Sequence, residues 1–322
     1  MKILVVRFSS IGDIVLTTPV VRCLYMQVPN AEIHYATKAA YAGIVANNPY
    51  VHTVHTLNDD FDALVQQLEL QRFDAIVDLH HNTRTFRLKR ALKQVPSYSF
   101  EKLNLRKWLY TALKINTLPP VHIVDRYLAT TRQWNVVNDG KGLDFFIDKE
   151  NEVPITALPL SHMMGYVGVV VGAALGTKQL PLAKLQALCA AIHYPIILLG
   201  GKEDVALAEA VKQIDDIKIY NACGKFNLQQ SAFLVKKAKK IYTHDTGLMH
   251  IAAAFQKPIV SIWGNTTPAF GMQPYYGANG VYHQAFEVNT WCRPCSKIGY
   301  KKCPLGHFNC MNKQDVERIA KS

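Results

Sequence analysis

Acidic residues are in short supply in this chain: 24 Asp and Glu stand against 36 Lys and Arg over 322 residues, a formal net charge of +12. Such an imbalance asks for an anionic partner, be it a phosphorylated acceptor, a lipid headgroup or a nucleic acid. Long apolar runs are missing too. Val153 to Thr177 carries no formal charge over 25 residues, but Pro154, Pro159, Ser161 and His162 interrupt it, and only Val167 to Val171 is solidly apolar. That falls short of the roughly 20 apolar residues a bilayer span needs. Met1 to Arg7 runs straight into a strand pattern with no signal-peptide cleavage site, so a cytoplasmic location is expected. No GxGxxG follows the first strand, which excludes the dinucleotide fingerprint, and no nucleic-acid-binding motif accompanies the basic residues. A hydrophobic content of 49% with 19% charged residues excludes disorder.

What is present is organised around Ile241 to Trp263. Ile241 to Thr243 has the pattern of a short buried strand. Asp245 is placed to cap a helix from Thr246 to Phe255, with Leu248, Ile251, Ala252 and Phe255 on its apolar face. Lys257-Pro258 stops that helix, and Ile259 to Trp263 is the next buried strand. Apolar runs joined by helices mark a parallel sheet. The N–H groups of Thr246, Gly247 and Leu248 form the positive end of the helix, and Gly247 lets a ligand approach the backbone. Two uses of this corner stay open: a phosphate held by the amides, or the Asp245 carboxylate acting only as a cap.

The same alternation runs through the chain. Ile3 to Val6 is a strand, followed by Arg7-Phe-Ser-Ser-Ile-Gly-Asp13 and a helix from about Ile14 to Met26, with Pro19 near its first turn. Strands at 33–36, 51–57 and 74–79 alternate with helices near 38–46 and 60–71, and helices follow near 103–113 and 123–134. The second half repeats the theme: strands at 167–171, 196–199 and 217–220, with helices at 181–193, 204–213 and 227–237. This predicts two α/β domains of the doubly wound kind, 1–152 and 163–322, with a Pro-containing linker at about 153–162 and a cleft between them. The last helix is expected to pack back on the N-terminal domain.

Much of the positive charge lies between Arg84 and Lys107, eight cations against the single Glu101, interleaved with Leu88, Leu92, Leu103, Leu105 and followed by Trp108. A basic amphipathic stretch suits anionic lipid or a phosphorylated acceptor, or is simply a solvated face. Cys23, Cys189 and Cys223 are scattered, as buried small hydrophobes are. Cys292-x2-Cys295-x7-Cys303-x6-Cys310, with His307 inside it, is a cluster. Its spacing admits a tetrahedral metal site or a set of reduced packing thiols, and no metal ligand is assigned.

Four motifs in order, Arg7 to Asp13, Gly172 to Pro181, Gly200-Gly-Lys-Glu203 and His244-Asp-Thr-Gly-Leu-Met-His250, resemble the ADP-heptose:lipopolysaccharide heptosyltransferases, glycosyltransferase family nine. The resemblance spans nearly the whole chain and implies a GT-B fold of two Rossmann-like domains facing a central cleft. It implies inverting transfer of a sugar, heptose from ADP-heptose, to an anionic glycolipid acceptor, with no cofactor and no catalytic metal. It makes Asp13 the base and Lys178 the cation on the leaving diphosphate, with Thr177, Glu203, Asp245, Thr246, Gly247 and His250 on the donor and Ser9, Ser10 and Gly12 on the acceptor side. One departure is Lys178-Gln-Leu-Pro181, where the family often has a Trp before the Pro. Peripheral contact with the inner face of the inner membrane through Arg84 to Trp108 is expected, and no nucleic-acid partner. Two other classes stay in play: another GT-B sugar-nucleotide enzyme such as an epimerase, and a non-catalytic anion- or nucleic-acid-binding protein.

Overall fold

The computed structural model describes residues 1–322. Its chain forms two compact units, the first comprising Met1–Lys102, Val121–Phe146 and Tyr275–Asn279, the second Leu103–Pro120, Ile147–Pro274 and Gly280–Ser322. This division is interleaved, unlike the single boundary at 153–162. Residues 275–279 join the first unit, where they bond to the loop around Gly140. Asn138 Nδ2 donates to the Tyr275 hydroxyl at 2.5 Å and the Ala278 amide donates to the Gly140 carbonyl at 2.7 Å. Gly277 makes the approach possible: its φ is +66° and a Cβ there would lie 2.0 Å from the Gly140 oxygen.

Through the first 130 residues the elements are β1 (Lys2–Val6), α1 (Ile11–Val15), α2 (Thr18–Gln27), β2 (Glu32–Lys38), β3 (Thr53–Leu57), α3 (Phe61–Glu69), β4 (Ala75–Asp78), α4 (Thr83–Ala91), β5 (Ser97–Ser99), α5 (Asn104–Leu113) and α6 (Ile123–Leu128). The five strands form one parallel sheet in the order β3-β2-β1-β4-β5. Ile3 to Val6 of the central strand are fully buried, as a strand covered on both faces must be. The single helix expected from Ile14 to Met26 is two helices. Thr17 and Thr18 donate their hydroxyls to the carbonyls of Ile14 and Val15 at 2.7 and 2.8 Å, and Pro19 sits in the first turn of α2, so the chain restarts where a proline ring is tolerated. Residues 39–44 form a 3-10 turn where an α-helix was expected.

The second unit adds β6 (Val167–Val170), α7 (Leu182–Ala191), β7 (Ile196–Leu199), α8 (Val205–Lys212), β8 (Ile219–Asn221), α9 (Leu228–Lys237), β9 (Ile241–His244), α10 (Gly247–Ala254), β10 (Ile259–Trp263), β11 (His283–Glu287), α11 (Asn309–Asn312) and α12 (Val316–Lys321). Its six strands are parallel in the order β11-β10-β9-β6-β7-β8. The last helix packs into the core of this unit. Ile319 is fully buried in the cluster formed by Val167, Leu185, Leu188 and Val260, and the Tyr242 hydroxyl donates to the Ala320 carbonyl at 3.1 Å.

The basic stretch from Arg84 to Lys107 is divided between the two units. On α4, Lys89 pairs with the buried Asp78 at 2.9 Å, Arg87 with Asp62 at 3.3 Å, and Arg84 lies over the Phe8 ring. These cations belong to the first unit, and α5 belongs to the second.

Arg22, 2% exposed, fastens α2 to the loop after α6. Its Nε and Nη2 donate to the two Asp139 oxygens at 2.7 and 2.8 Å, Nη2 also reaches the Gly142 carbonyl, and Nη1 bonds Asp144. Truncating one partner of a buried ion-pair group strands the other. Arg22→Leu is therefore expected to lower unfolding free energy in urea by about 3 kcal/mol; a loss under about 1 kcal/mol contradicts the assignment of Arg22 as a buried fastener.

Candidate functional site

In each sheet the strand order reverses once, between β1 and β4 in the first unit and between β6 and β9 in the second. Right-handed crossovers from such a pair leave on opposite faces, so the carboxyl edge between them stays uncovered. The residues singled out from sequence lie mainly on the loops that leave these strands.

In the first unit, Arg7 follows the last residue of β1 and bonds in four directions. Its Nη2 pairs with Asp13 Oδ1 at 2.9 Å, Nη1 donates to the Leu79 carbonyl at 2.6 Å and the Tyr127 hydroxyl at 3.1 Å, and Nε donates to the Ser9 carbonyl at 2.6 Å. Asp13 stands at the third position of α1, not ahead of a helix beginning at Ile14. Its other oxygen accepts from the Ser10 hydroxyl at 2.8 Å and the Ser10 amide at 3.3 Å. The carboxylate keeps 23% of its side-chain surface exposed. It is thus oriented by a cation and a hydroxyl and remains partly exposed. Gly12 is buried behind it.

The β4 end supplies the other wall. Asp78 is fully buried and accepts from the amides of His80 and His81 at 3.0 and 2.7 Å. Burial works to raise its pKa, but the His81 amide and Lys89 outweigh that and hold it below the usual value. His80 accepts from the Phe8 amide at 3.3 Å through Nδ1. Burial, then the charge of Arg7, push its pKa down to about 4. Arg7 and His80 escaped sequence reasoning as individual site residues, because neither stands in a periodic pattern that marks a role.

In the second unit, Lys178 on the loop after β6 meets Asp245 on the loop after β9, with Nζ 2.6 Å from Oδ2. Thr266, just past β10, donates its hydroxyl to the same oxygen at 3.1 Å. Asp245 is consequently not the helix cap. That position belongs to Thr246, which makes no side-chain cap bond, so the first amides of α10, beginning at Gly247, have no acceptor within the helix or from its cap. His244 lies beneath, 1% exposed, its Nε2 accepting from the Leu180 amide at 3.0 Å. The Thr177 hydroxyl donates to the Tyr300 carbonyl at 3.0 Å and accepts from the Tyr300 amide at 2.8 Å, which ties the Lys178 loop to the cysteine-rich segment. His250 is 2% exposed inside α10, and Glu203 is exposed on the turn Lys202–Asp204. Phe270 and Tyr276, in the segment between β10 and β11, are buried at 5% and 8%.

The cysteine-rich segment is held by Arg293, whose Nε and Nη2 donate to the carbonyls of Gly264 and Thr266 at 2.5 and 2.7 Å. All seven cysteines are free, Cys292 Sγ lies 3.7 Å from His307 Nε2, and no three His, Cys, Asp or Glu side chains are grouped to hold a metal ion.

The family model for glycosyltransferase family 9 (heptosyltransferase) matches residues 61–305. The chain belongs to glycosyltransferase family 9. It is 24% identical to lipopolysaccharide heptosyltransferase 1 of Campylobacter coli over 294 residues, covering 84% of this chain and 85% of that one. Among solved structures, the family 9 glycosyltransferase of Veillonella parvula superimposes with a TM-score of 0.78 at 20% identity, covering 99% and 95% of the two chains. The Escherichia coli ADP-heptose heptosyltransferase II does so with a TM-score of 0.71 at 19% identity over the full length of both. The two parallel-sheet units of this family 9 glycosyltransferase are those of the GT-B fold, and neither an epimerase nor a non-catalytic anion binder is favoured.

His80 and His244 both titrate near pH 4 because burial disfavours their charged forms. An unfolded histidine takes its proton near pH 6.5. Between about 6.5 and about 4 the unfolded state therefore binds more protons, and stability falls as pH falls, by up to about 1.4 kcal/mol per pH unit for each such group. His244→Gln should make the decline of Tm across this window shallower than in the parent. An unchanged slope would mean that His244 is not held neutral.

Proposed function

We propose that this family 9 enzyme transfers heptose, with inversion, from ADP-heptose to an acceptor of the lipopolysaccharide core. Family membership supports the transfer, and the names of the relatives support the donor and acceptor. The observation that carries the reading is the Lys178–Asp245 pair beside the bare first turn of α10, at the point where the second sheet reverses its order.

Inversion asks for a base that takes the acceptor hydroxyl proton while the diphosphate leaves from the opposite face of the anomeric carbon. Asp13 is assigned as that base: its carboxylate is fixed by Arg7 and Ser10 and remains partly exposed. Ser9, Ser10 and Gly12 shape the acceptor side. Lys178 supplies charge to the departing phosphates, and the amides of Thr246 and Gly247 with the Thr246 hydroxyl supply directed donors, which stabilise charge as it develops. Asp245 holds the ammonium in place through a 2.6 Å contact. Thr177 fixes the loop that carries Lys178, His250 lies one turn behind Thr246, and Glu203 accepts from the ribose hydroxyls. An acceptor anchored in lipid places the enzyme in the cytoplasm, in peripheral contact with the inner face of the inner membrane.

Asp13→Asn keeps the shape of the side chain but removes its basicity. With ADP-heptose and heptose-deficient lipopolysaccharide core, it should lower kcat by at least about a thousandfold. Arg7→Ala should lower kcat while leaving the donor KM within about twofold, as expected for a residue that positions the base and does not touch the donor. Normal turnover in Asp13→Asn would remove Asp13 as the base, and a raised donor KM in Arg7→Ala would remove the positioning role.

A further inference from the structure

The helix α5 stands apart from the other α-helices in having no buried residue in its ten positions, despite its apolar sequence. Leu105, Trp108 and Leu113 are exposed at 69%, 55% and 55%, and Ile115 just beyond the helix at 51%. Leu105, Trp108 and Ala112 share one face, since positions three and seven apart align on a helix. The helix is fastened to the second unit by other groups. The Tyr110 ring meets Phe270 edge-on at 6.1 Å, the Lys107 ammonium lies 5.8 Å from the same ring centre, and Lys114 Nζ donates to the carbonyls of Cys292 and Pro294 at 2.8 Å each. The last of these bonds brings the end of α5 alongside Trp291, itself 78% exposed; Ile298, at 62%, lies further along the same segment.

The charge around these residues has one sign. Arg106, Lys107 and Lys114 accompany α5, Lys297, Lys301 and Lys302 lie in 288–305, and neither 103–120 nor 288–305 contains a carboxylate; Arg293 is turned inward to Glu287 and the carbonyls of Gly264 and Thr266 and takes no part. Exposed aliphatic and tryptophan side chains among cations match the boundary between anionic headgroups and acyl chains, where indole rings concentrate. A nucleic acid would use the cations and two rings but offers nothing to Leu105, Leu113, Ile115 and Ile298. We infer that α5 and the segment around Trp291 form the surface by which this protein docks on an anionic lipid bilayer. The inference rests on the proposed function for its purpose, because a lipid-borne acceptor requires attachment, but the lipid contact is measurable without any transfer. It also relocates that contact. Of the α4 cations expected to share it, Lys89, Arg87 and Arg84 are engaged with Asp78, Asp62 and Phe8 in the other unit.

The test is co-sedimentation of the full chain with phosphatidylcholine vesicles, with and without phosphatidylglycerol, at low and high salt, together with tryptophan emission. The parent should bind only the anionic vesicles, lose binding at high salt and shift its emission to the blue. The double variant Leu105→Ser, Trp108→Ser should partition at least about tenfold more weakly, as should Trp291→Ser, each with an unchanged Tm because the side chains are exposed. Binding of the variants equal to the parent overturns the surface, as does a parent that ignores anionic vesicles, forms a dimer that buries these tryptophans, or prefers RNA. Transfer to a delipidated, water-soluble core acceptor separates the two claims. Vesicle binding without any such transfer by the parent defeats the proposed function alone. Transfer with no vesicle binding defeats the docking surface alone.

Discussion

A parallel sheet whose connections leave in both directions has one place where its carboxyl edge cannot be covered, and polar groups gather there because nothing apolar shields it. In this chain each sheet fills that place with an oriented carboxylate and a cation. Arg7 and Asp13 occupy it beside β1, and Lys178 and Asp245 beside β6 and β9. The surrounding structure serves to fix these pairs. Asp78 gathers the turn after β4 by accepting two amides, Arg22 locks α2 against the loop at 139–144, and Thr177 bonds the Lys178 loop to Tyr300.

The two pairs are chemically alike but differently engaged. Asp245 has one oxygen occupied by both the Lys178 ammonium and the Thr266 hydroxyl. Asp13 has its oxygens divided between Arg7 and Ser10 and keeps about a quarter of its side chain open. A carboxylate held by a guanidinium with no bonding freedom left is set in direction as well as in charge. In the proposed mechanism the two pairs divide the labour: Asp13 takes the acceptor proton, and Lys178 with the first amides of α10 receives the departing diphosphate.

Fully buried strands were plain in the sequence. Ile196–Leu199 and Ile259–Trp263 begin and end in the structure where their apolar runs do, since a strand covered on both faces has no other composition open to it. Local competition was harder to see. Asp245 and Thr246 are both cap residues by type, and Lys178, 67 residues away, decides that Asp245 turns aside to an ion pair. The break between α1 and α2 depends on two threonine hydroxyls that bond back to carbonyls, which periodicity does not register. Arg7 sits between Val6 and Phe8 as an isolated cation, and two of its four partners lie 72 and 120 residues downstream. The basic stretch after Arg84 was legible as charge, but the pairing of Arg87 and Lys89 was not, because their carboxylates, Asp62 and Asp78, come from α3 and β4.

Calorimetric titration of ADP into two variants tests this division of labour most directly. The account predicts that Lys178→Met binds ADP at least about tenfold more weakly than the parent, as loss of a charge-assisted phosphate contact entails, while Asp13→Asn binds it as the parent does. Equal affinity in Lys178→Met, or a comparable loss in Asp13→Asn, would contradict it.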